Sequence, residues 1–250
     1  MKYALGLDLG TTSIGWSVVN LDKNRIEDLG VRIFEKPENP KDGKSLAVPR
    51  RTARSARRRL KRRRQRLNYL KQFFVKNSLL TDQQIEQLLM PHAGQLDPYV
   101  MRQKGLTERL SPKELFVALH HIAKRRGYKS NRKAVEEKDP EGSKVLSAIS
   151  ENAKLLTTYQ TVGKALLNDP KFQQHRRNKA DNYQNSFVRA NFEAEIRAIL
   201  AEQQKFYPIL TDQNIQLLLL GDVEQGNKSG LFYQRPFMTP ALINQMRGKC

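Results

Sequence analysis

The sequence predicts an α+β chain, mostly α, and three observations carry that prediction. Residues 3–35 alternate apolar and polar side chains in short runs parted by turn residues. Residues 49–74 place apolar side chains at helical spacing in an otherwise basic stretch. Beyond Thr81, amphipathic segments open on capping residues and no further clear strand occurs. This change of signal marks a boundary near Ala47.

The first run puts Tyr3, Leu5, Leu7 and Leu9 on one face and Ala4, Gly6 and Asp8 on the other. Gly10-Thr11-Thr12-Ser13 turns the chain, and residues 14–20 return as a second strand of a hairpin. Asp22-Lys23-Asn24 turns it again, and residues 29–35 read as a third strand. Residues 36–44, with Pro37, Pro40 and Gly43, form a connector.

The basic stretch follows. Ala53, Ala56, Leu60, Leu67, Leu70 and Phe74 fall on one helix face, and Pro49 suits a first turn. At 1.5 Å per residue this rod is roughly 40 Å long. Its other faces are Arg or Lys: Arg50, Arg51, Arg54, Arg57, Arg58, Arg59, Lys61, Arg62, Arg63, Arg64 and Arg66. Like charges at this spacing repel, and no acid lies between Gly43 and Thr81 to offset them. A solvated charged face would mix signs, and a disordered basic tail would lack the apolar stripe. Nucleic-acid phosphate, which guanidinium groups grip bidentately, is the counter-charge that fits best. The stripe is expected to pack on protein along its length, Leu60 included.

Later segments are helical. Thr81-Asp82-Gln83-Gln84 and Ser111-Pro112-Lys113-Glu114 are capping boxes. The second opens a helix with Leu115, Phe116, Leu119, Ile122 and Ala123 inward, ending at Gly127. Residues 143–156, 191–204 and 211–220 are further helices, the last stopped by Gly221. From about residue 78, this part is expected to fold without residues 1–48. Leu80-Thr81-Asp82-Gln83 and Leu210-Thr211-Asp212-Gln213 share capping chemistry, not a repeat.

Net charge over 250 residues is +20, and residues 43–81 hold 14 basic and no acidic side chains. A polyanionic partner is the simplest inference. A membrane surface fits poorly, because the apolar stripe is narrow and no segment approaches a membrane span. The one cysteine, Cys250, excludes a disulfide framework within these residues and suits a reducing compartment.

Two basic loops add to this reading. Lys124, Arg125, Arg126, Tyr128, Lys129, Asn131 and Arg132 follow the Ser111 helix, and Arg176, Arg177 and Lys179 precede Tyr183. Basic residues beside an aromatic suit single-stranded or looped nucleic acid. Solvated loops are the plainer alternative for both.

Catalytic signals are few. Asp8 is the carboxylate inside an apolar strand, either a metal ligand or a strand-end turn former. Two-metal phosphodiester cleavage needs several carboxylates, and nothing places Asp22, Glu27, Asp28 or Glu35 beside it. His120 and His121 adjoin on one helix, face different ways and read as packing residues.

Gly6-Leu7-Asp8-Leu9-Gly10-Thr11-Thr12-Ser13-Ile14-Gly15-Trp16, followed by the Arg-rich helix, resembles the start of the type II CRISPR effector nucleases, which are RNA-guided DNA endonucleases. The compact type II-C branch is the most similar. His121-Ile122-Ala123-Lys124-Arg125-Arg126-Gly127-Tyr128, Tyr159-Gln160-Thr161-Val162-Gly163 and Phe232-Tyr233-Gln234-Arg235-Pro236 resemble that family too.

The resemblance implies residues 1–48 as the first segment of a split, RNase H-like RuvC nuclease domain. It implies residues 49–77 as the bridge helix and residues 78–250 as part of a helical recognition lobe. Asp8 is then a catalytic metal ligand for Mg2+ or Mn2+, acting only with carboxylates further along a longer chain. Implied partners are guide RNA (crRNA:tracrRNA), target DNA, the remaining C-terminal part of the nuclease and an inhibitor protein, with no membrane. The implied setting is a bacterial cytoplasm, and these 250 residues alone are expected not to cut DNA. Two other classes stand beside this reading. A structural RNA-binding protein would need no Asp8, and an actin-like ATPase would need a second phosphate loop, which is not found.

Overall fold

In a computed structural model of the chain, the described residues are 2–10, 12–36, 38–39, 41–90, 96–129, 140–179, 182–222, 226 and 228–234. They form two compact units, 1–61 and 62–250, dividing within one long helix. Thr11, Pro37, Pro40, Asn131, Arg132, Arg235, Pro236 and Cys250 lie outside the described residues.

Alternation and one asparagine build the sheet of the first unit. β1 (Tyr3–Leu9), β2 (Ser13–Asn20) and β3 (Arg25–Ile33) form an antiparallel sheet in that order. The third strand starts four residues earlier than expected, at Arg25 rather than Leu29. The cause is Asn20, whose Oδ1 accepts from the amides of Asp22 and Lys23 at 3.0 and 3.1 Å. Its amide donates to Glu27 Oε1 at 2.8 Å. Asn24 takes the left-handed conformation, with φ of 52°, that closes a tight turn. The chain is therefore back in register by Arg25. The polar Arg25 and Glu27, which pair at 2.7 Å, hid this start from an apolar pattern.

Cross-strand register puts Leu7, Trp16 and Gly30 on one face and Asp8, Gly15 and Val31 on the other. The Trp16 ring lies over Gly30, where a Cβ would come within 2.7 Å of it. Leu5, Leu7 and Leu9 on one face, and Leu29, Val31 and Ile33 on the other, are 60–73% exposed. A sheet apolar on both faces is of the kind that other elements cover on both sides.

α1 runs Ala47–Lys76. Among its apolar residues Leu70 and Phe74 are fully buried, but Leu60 is 65% exposed. Among the described residues the stripe is fully buried in the helix's second half and Leu60 is not, which corrects the expectation for Leu60. Helical period says which residues share a face, not where the covering partner ends.

The second unit packs α2 (Asp82–Leu89), α3 (Pro98–Lys104), α4 (Pro112–Lys124), α5 (Pro140–Tyr159), α6 (Val162–Asn168), α7 (Arg189–Gln204) and α8 (Asp212–Leu220) around one core. Both capping boxes form. Ser111 Oγ accepts from Glu114 N, and Glu114 Oε2 accepts from Ser111 N at 2.7 Å. Phe74 meets Phe116 edge-on at 5.2 Å, joining α1 to α4. Leu119, Ile122, Ile196, Ile199 and Leu218 are fully buried around them.

Among the described residues, one ion pair lies inside this core. Arg102 donates twice to Glu195, each bond 2.7 Å, and Glu195 also accepts from Gly163 N at 3.0 Å. A buried pair with its remaining lone pairs satisfied fixes geometry more than it adds stability. α3 and α6 each have seven residues, too few to show helical periodicity in the sequence.

Candidate nucleic-acid interface

Four segments of the second unit bring basic side chains together. These are the second half of α1, the end of α4, the loop of residues 175–179 and the start of α7. α4 ends at Lys124, and Gly127 follows with φ of +78°. A Cβ at Gly127 would sit 2.6 Å from the Phe192 ring. Glycine thus lets the chain press against α7. Tyr128 N then donates to Phe187 O, and Arg189 N to Tyr128 O, each at 2.8 Å. These bonds bring the α4 loop alongside Arg189.

Three guanidinium groups here are held by carbonyls rather than carboxylates. Arg66, only 8% exposed, donates from Nε to Ala123 O at 3.0 Å. Arg126 donates to Leu231 O at 2.8 Å, and Arg189 to Gln234 Oε1 at 3.2 Å. Burial pushes Arg66 down to about 10, aided by the charges of Arg189 and Arg63. Burial pushes Arg126 down to about 9, aided by Arg66, Arg189 and Arg62. Arg125 is lowered by burial and by Arg177, and Lys124 by burial, Arg125, Arg63 and Arg177. Arg189 is lowered by burial, with partial relief from Glu193.

Arginine stays protonated in proteins. Such shifts therefore mark burial first and, at every group but Arg189, neighbouring positive charge second, not neutral side chains. Among the described residues, no ion pair reaches Arg63, Arg66, Lys124, Arg125, Arg126 or Arg177. Two buried donors, Arg189 Nε and His121 Nε2, have no hydrogen-bond partner among the described residues. A bound polyanion would relieve the crowded charge.

The remaining candidates divide by position. Arg50, Arg51, Arg54, Arg57, Arg58, Arg59, Lys61, Arg62 and Arg64 are exposed along α1, as are Lys129, Arg177 and Lys179 in the loops. Arg63, Arg125, Arg126, Tyr128 and Arg176 are half-buried. Arg66 faces protein, so Arg58, Arg62 and Arg66 do not present one exposed face, contrary to their even spacing. Sequence reasoning missed Arg189. A cation in the first turn of a helix opposes the helix dipole, and that anomaly was the available signal.

His120 stacks on Phe116 at 5.4 Å, and burial followed by Lys124, Arg63 and Arg125 pushes it down to about 4. His121 lies edge-on to Tyr99 at 4.7 Å, with Nδ1 3.2 Å from an Arg102 nitrogen. Arginine can only donate, so Nδ1 accepts and the neutral ring carries its proton on Nε2. Both are packing residues, as expected.

Asp8 belongs to the first unit, exposed on β1 opposite Gly15. Its carboxylate is a hard oxygen donor of the type Mg2+ takes. Among the described residues no group of three or more His, Cys, Asp or Glu side chains could hold a metal ion. No helix among the described residues is long and apolar enough to cross a membrane.

Residues 50–78 match the family described as the bridge helix of CRISPR-associated endonuclease Cas9. The chain is 38% identical over 219 residues to the CRISPR-associated endonuclease Cas9 of Campylobacter jejuni, covering 82% of this chain and 22% of that protein. It superposes on the crystal structure of Campylobacter jejuni Cas9 in complex with sgRNA and target DNA, with a TM-score of 0.59 and 29% identity, over 95% of this chain and 30% of that one. A cryo-EM structure of an St1Cas9–sgRNA–target DNA–AcrIIA6 assembly gives a TM-score of 0.54 and 30% identity, over 86% and 25%. The chain spans about a fifth of the length of the curated relatives it matches. The bridge-helix match falls on the basic helix α1 and the similarity runs on either side of it, so the chain belongs to the Cas9 family of CRISPR-associated endonucleases.

Proposed function

We propose that this chain binds guide RNA through its phosphates, as the nucleic-acid-gripping part of an RNA-guided DNA endonuclease of CRISPR defence. One observation carries the reading. Basic side chains from four segments converge, and among the described residues no ion pair reaches Arg63, Arg66, Lys124, Arg125, Arg126 or Arg177. Phosphate oxygens would supply both the charge and the acceptors. The sgRNA and target DNA in the Campylobacter jejuni complex support guide and guide–target duplex as the ligands. The exposed arginines 50–64 would extend the grip along α1.

Residues 1–48 are then the first segment of a RuvC-like nuclease domain, 49–77 the bridge helix and 78–250 part of the recognition lobe. Asp8 would supply one oxygen to Mg2+ or Mn2+, with the other carboxylates from further along a longer chain. A cation so held would activate water and stabilise the leaving oxygen in phosphodiester cleavage. In the full-length protein, Asp8→Ala is expected to abolish cutting of the non-target strand while leaving guided binding intact. Residues 1–250 alone are expected to show no metal-dependent cleavage of guide-matched DNA. The bacterial relatives support a cytoplasmic setting, and the AcrIIA6 assembly supports an inhibitor protein as a further partner.

Comparing RNA with ATP binding on the purified chain tests the reading. The expected result is salt-sensitive RNA binding and no ATP binding. ATP binding without RNA affinity would contradict it.

A further inference from the structure

Arg176 and Arg177 are adjacent, equally basic and indistinguishable in the sequence. The structure gives them different surroundings. Arg176 is half-buried and donates to Asp97 Oδ2 at 2.8 Å. Its guanidinium lies 5.3 Å from the centre of the Tyr99 ring, and its carbonyl accepts from the Tyr99 hydroxyl at 3.1 Å. Arg177 is exposed and has no paired carboxylate among the described residues, and its charge is felt by Arg125, Lys124 and His121.

The contacts of Arg176 lead inward to rigid structure. Tyr99 is 5% exposed and also lies 5.5 Å from the guanidinium of Arg102, which Glu195 locks in place. Asp97 divides its carboxylate between two tasks. Oδ1 caps α3 by accepting from Tyr99 N at 2.8 Å, and Oδ2 holds Arg176. The far side of the loop is tied as well. Asn178 Oδ1 accepts from Asn185 N at 2.8 Å, and its amide donates to Ser186 Oγ at 3.1 Å. Between these ties, Arg177 is the residue left facing outward beside Arg125.

We propose that Asp97 is a positioning residue for RNA binding: through Arg176 and Tyr99 it fixes the loop so that Arg177 stands in the basic cluster. This rests on the RNA-binding reading above and adds a role for a residue of the opposite sign. Simple electrostatics demands the contrary, since an acid near the site repels phosphate and its removal should tighten binding. The two accounts therefore predict changes of opposite sign.

Asp97→Asn separates them. Asparagine caps helices as well as aspartate, so α3 is kept. An amide turned to keep that cap presents its NH2 to Arg176 and cannot accept from it. The measurement is the affinity of the 250-residue chain for a fluorescein-labelled single-stranded RNA, titrated with salt. Asp97→Asn is expected to weaken binding several-fold and to make the log K against log salt slope shallower by about 0.7, the share of one phosphate contact on a single strand. Arg177→Gln should do the same, and the double variant should add little, because both remove one contact. Tyr99→Phe, which deletes only the bond to the Arg176 carbonyl, should shift the slope the same way by less. Tighter or unchanged binding by Asp97→Asn, or full additivity with Arg177→Gln, overturns the positioning role. A parent chain with no salt dependence would instead sink the RNA-binding reading itself.

Discussion

His120 is a half-buried imidazole among cations, and burial and charge act on it in the same direction. Its pKa falls from the usual 6.5 to about 4. The unfolded chain then binds more protons than the folded one between these values, so stability falls as pH drops from 6.5 towards 4. It is fully present above pH 6.5. At about 1.4 kcal/mol per pKa unit, the loss attributable to His120 between pH 7 and pH 4.5 is about 2–3 kcal/mol. Urea unfolding at pH 7 and pH 4.5 checks this. His120→Phe should keep the stacking on Phe116 and show a smaller acid loss than the parent. An equal loss in both would place the sensitivity elsewhere. The arginines show why single residues were hard to read. Arg66 looks like its ten basic neighbours in the sequence, and only the Ala123 carbonyl, 57 residues away, turns it inward. Arg189 meets its partners through chain folding alone.

At the scale of elements, α1 carries two kinds of helix in one. Its first half is basic with Leu60 exposed, and its second half anchors Leu70 and Phe74 in the core. Leu60→Asp is therefore expected to change stability by less than about 0.5 kcal/mol. Leu70→Ala should cost about 2–5 kcal/mol. Thermal unfolding of the two variants tests the division, and comparable losses would contradict it. The elements best read from sequence are those whose signal is local. Tyr3–Leu9 alternates over its whole length, and α2 and α4 announce themselves by capping boxes that form as written. β3 was misplaced because its start depends on the Asn20 side chain, not on apolar pattern. α3 and α6 are set by the core they fill, which no window of seven residues reveals.

For the whole molecule, the useful division falls inside α1 at Lys61 rather than after the helix. Residues 62–250 keep Leu70 and Phe74 and are expected to melt cooperatively. A chain starting at residue 78 loses both anchors, each fully buried, and is expected to be several kcal/mol less stable. That replaces the expectation that the helical part folds from about residue 78. The central claim is that RNA phosphate neutralises the basic cluster. Its most direct test is a salt titration of RNA affinity for the parent chain and for the variant with Arg63, Arg125 and Arg177 all changed to Gln. Three lost phosphate contacts predict a log K against log salt slope shallower by roughly 2. The change should be the same for RNAs of unrelated sequence, because phosphate contacts carry no sequence information. An unchanged slope would contradict the account, leaving the cluster a solvated surface.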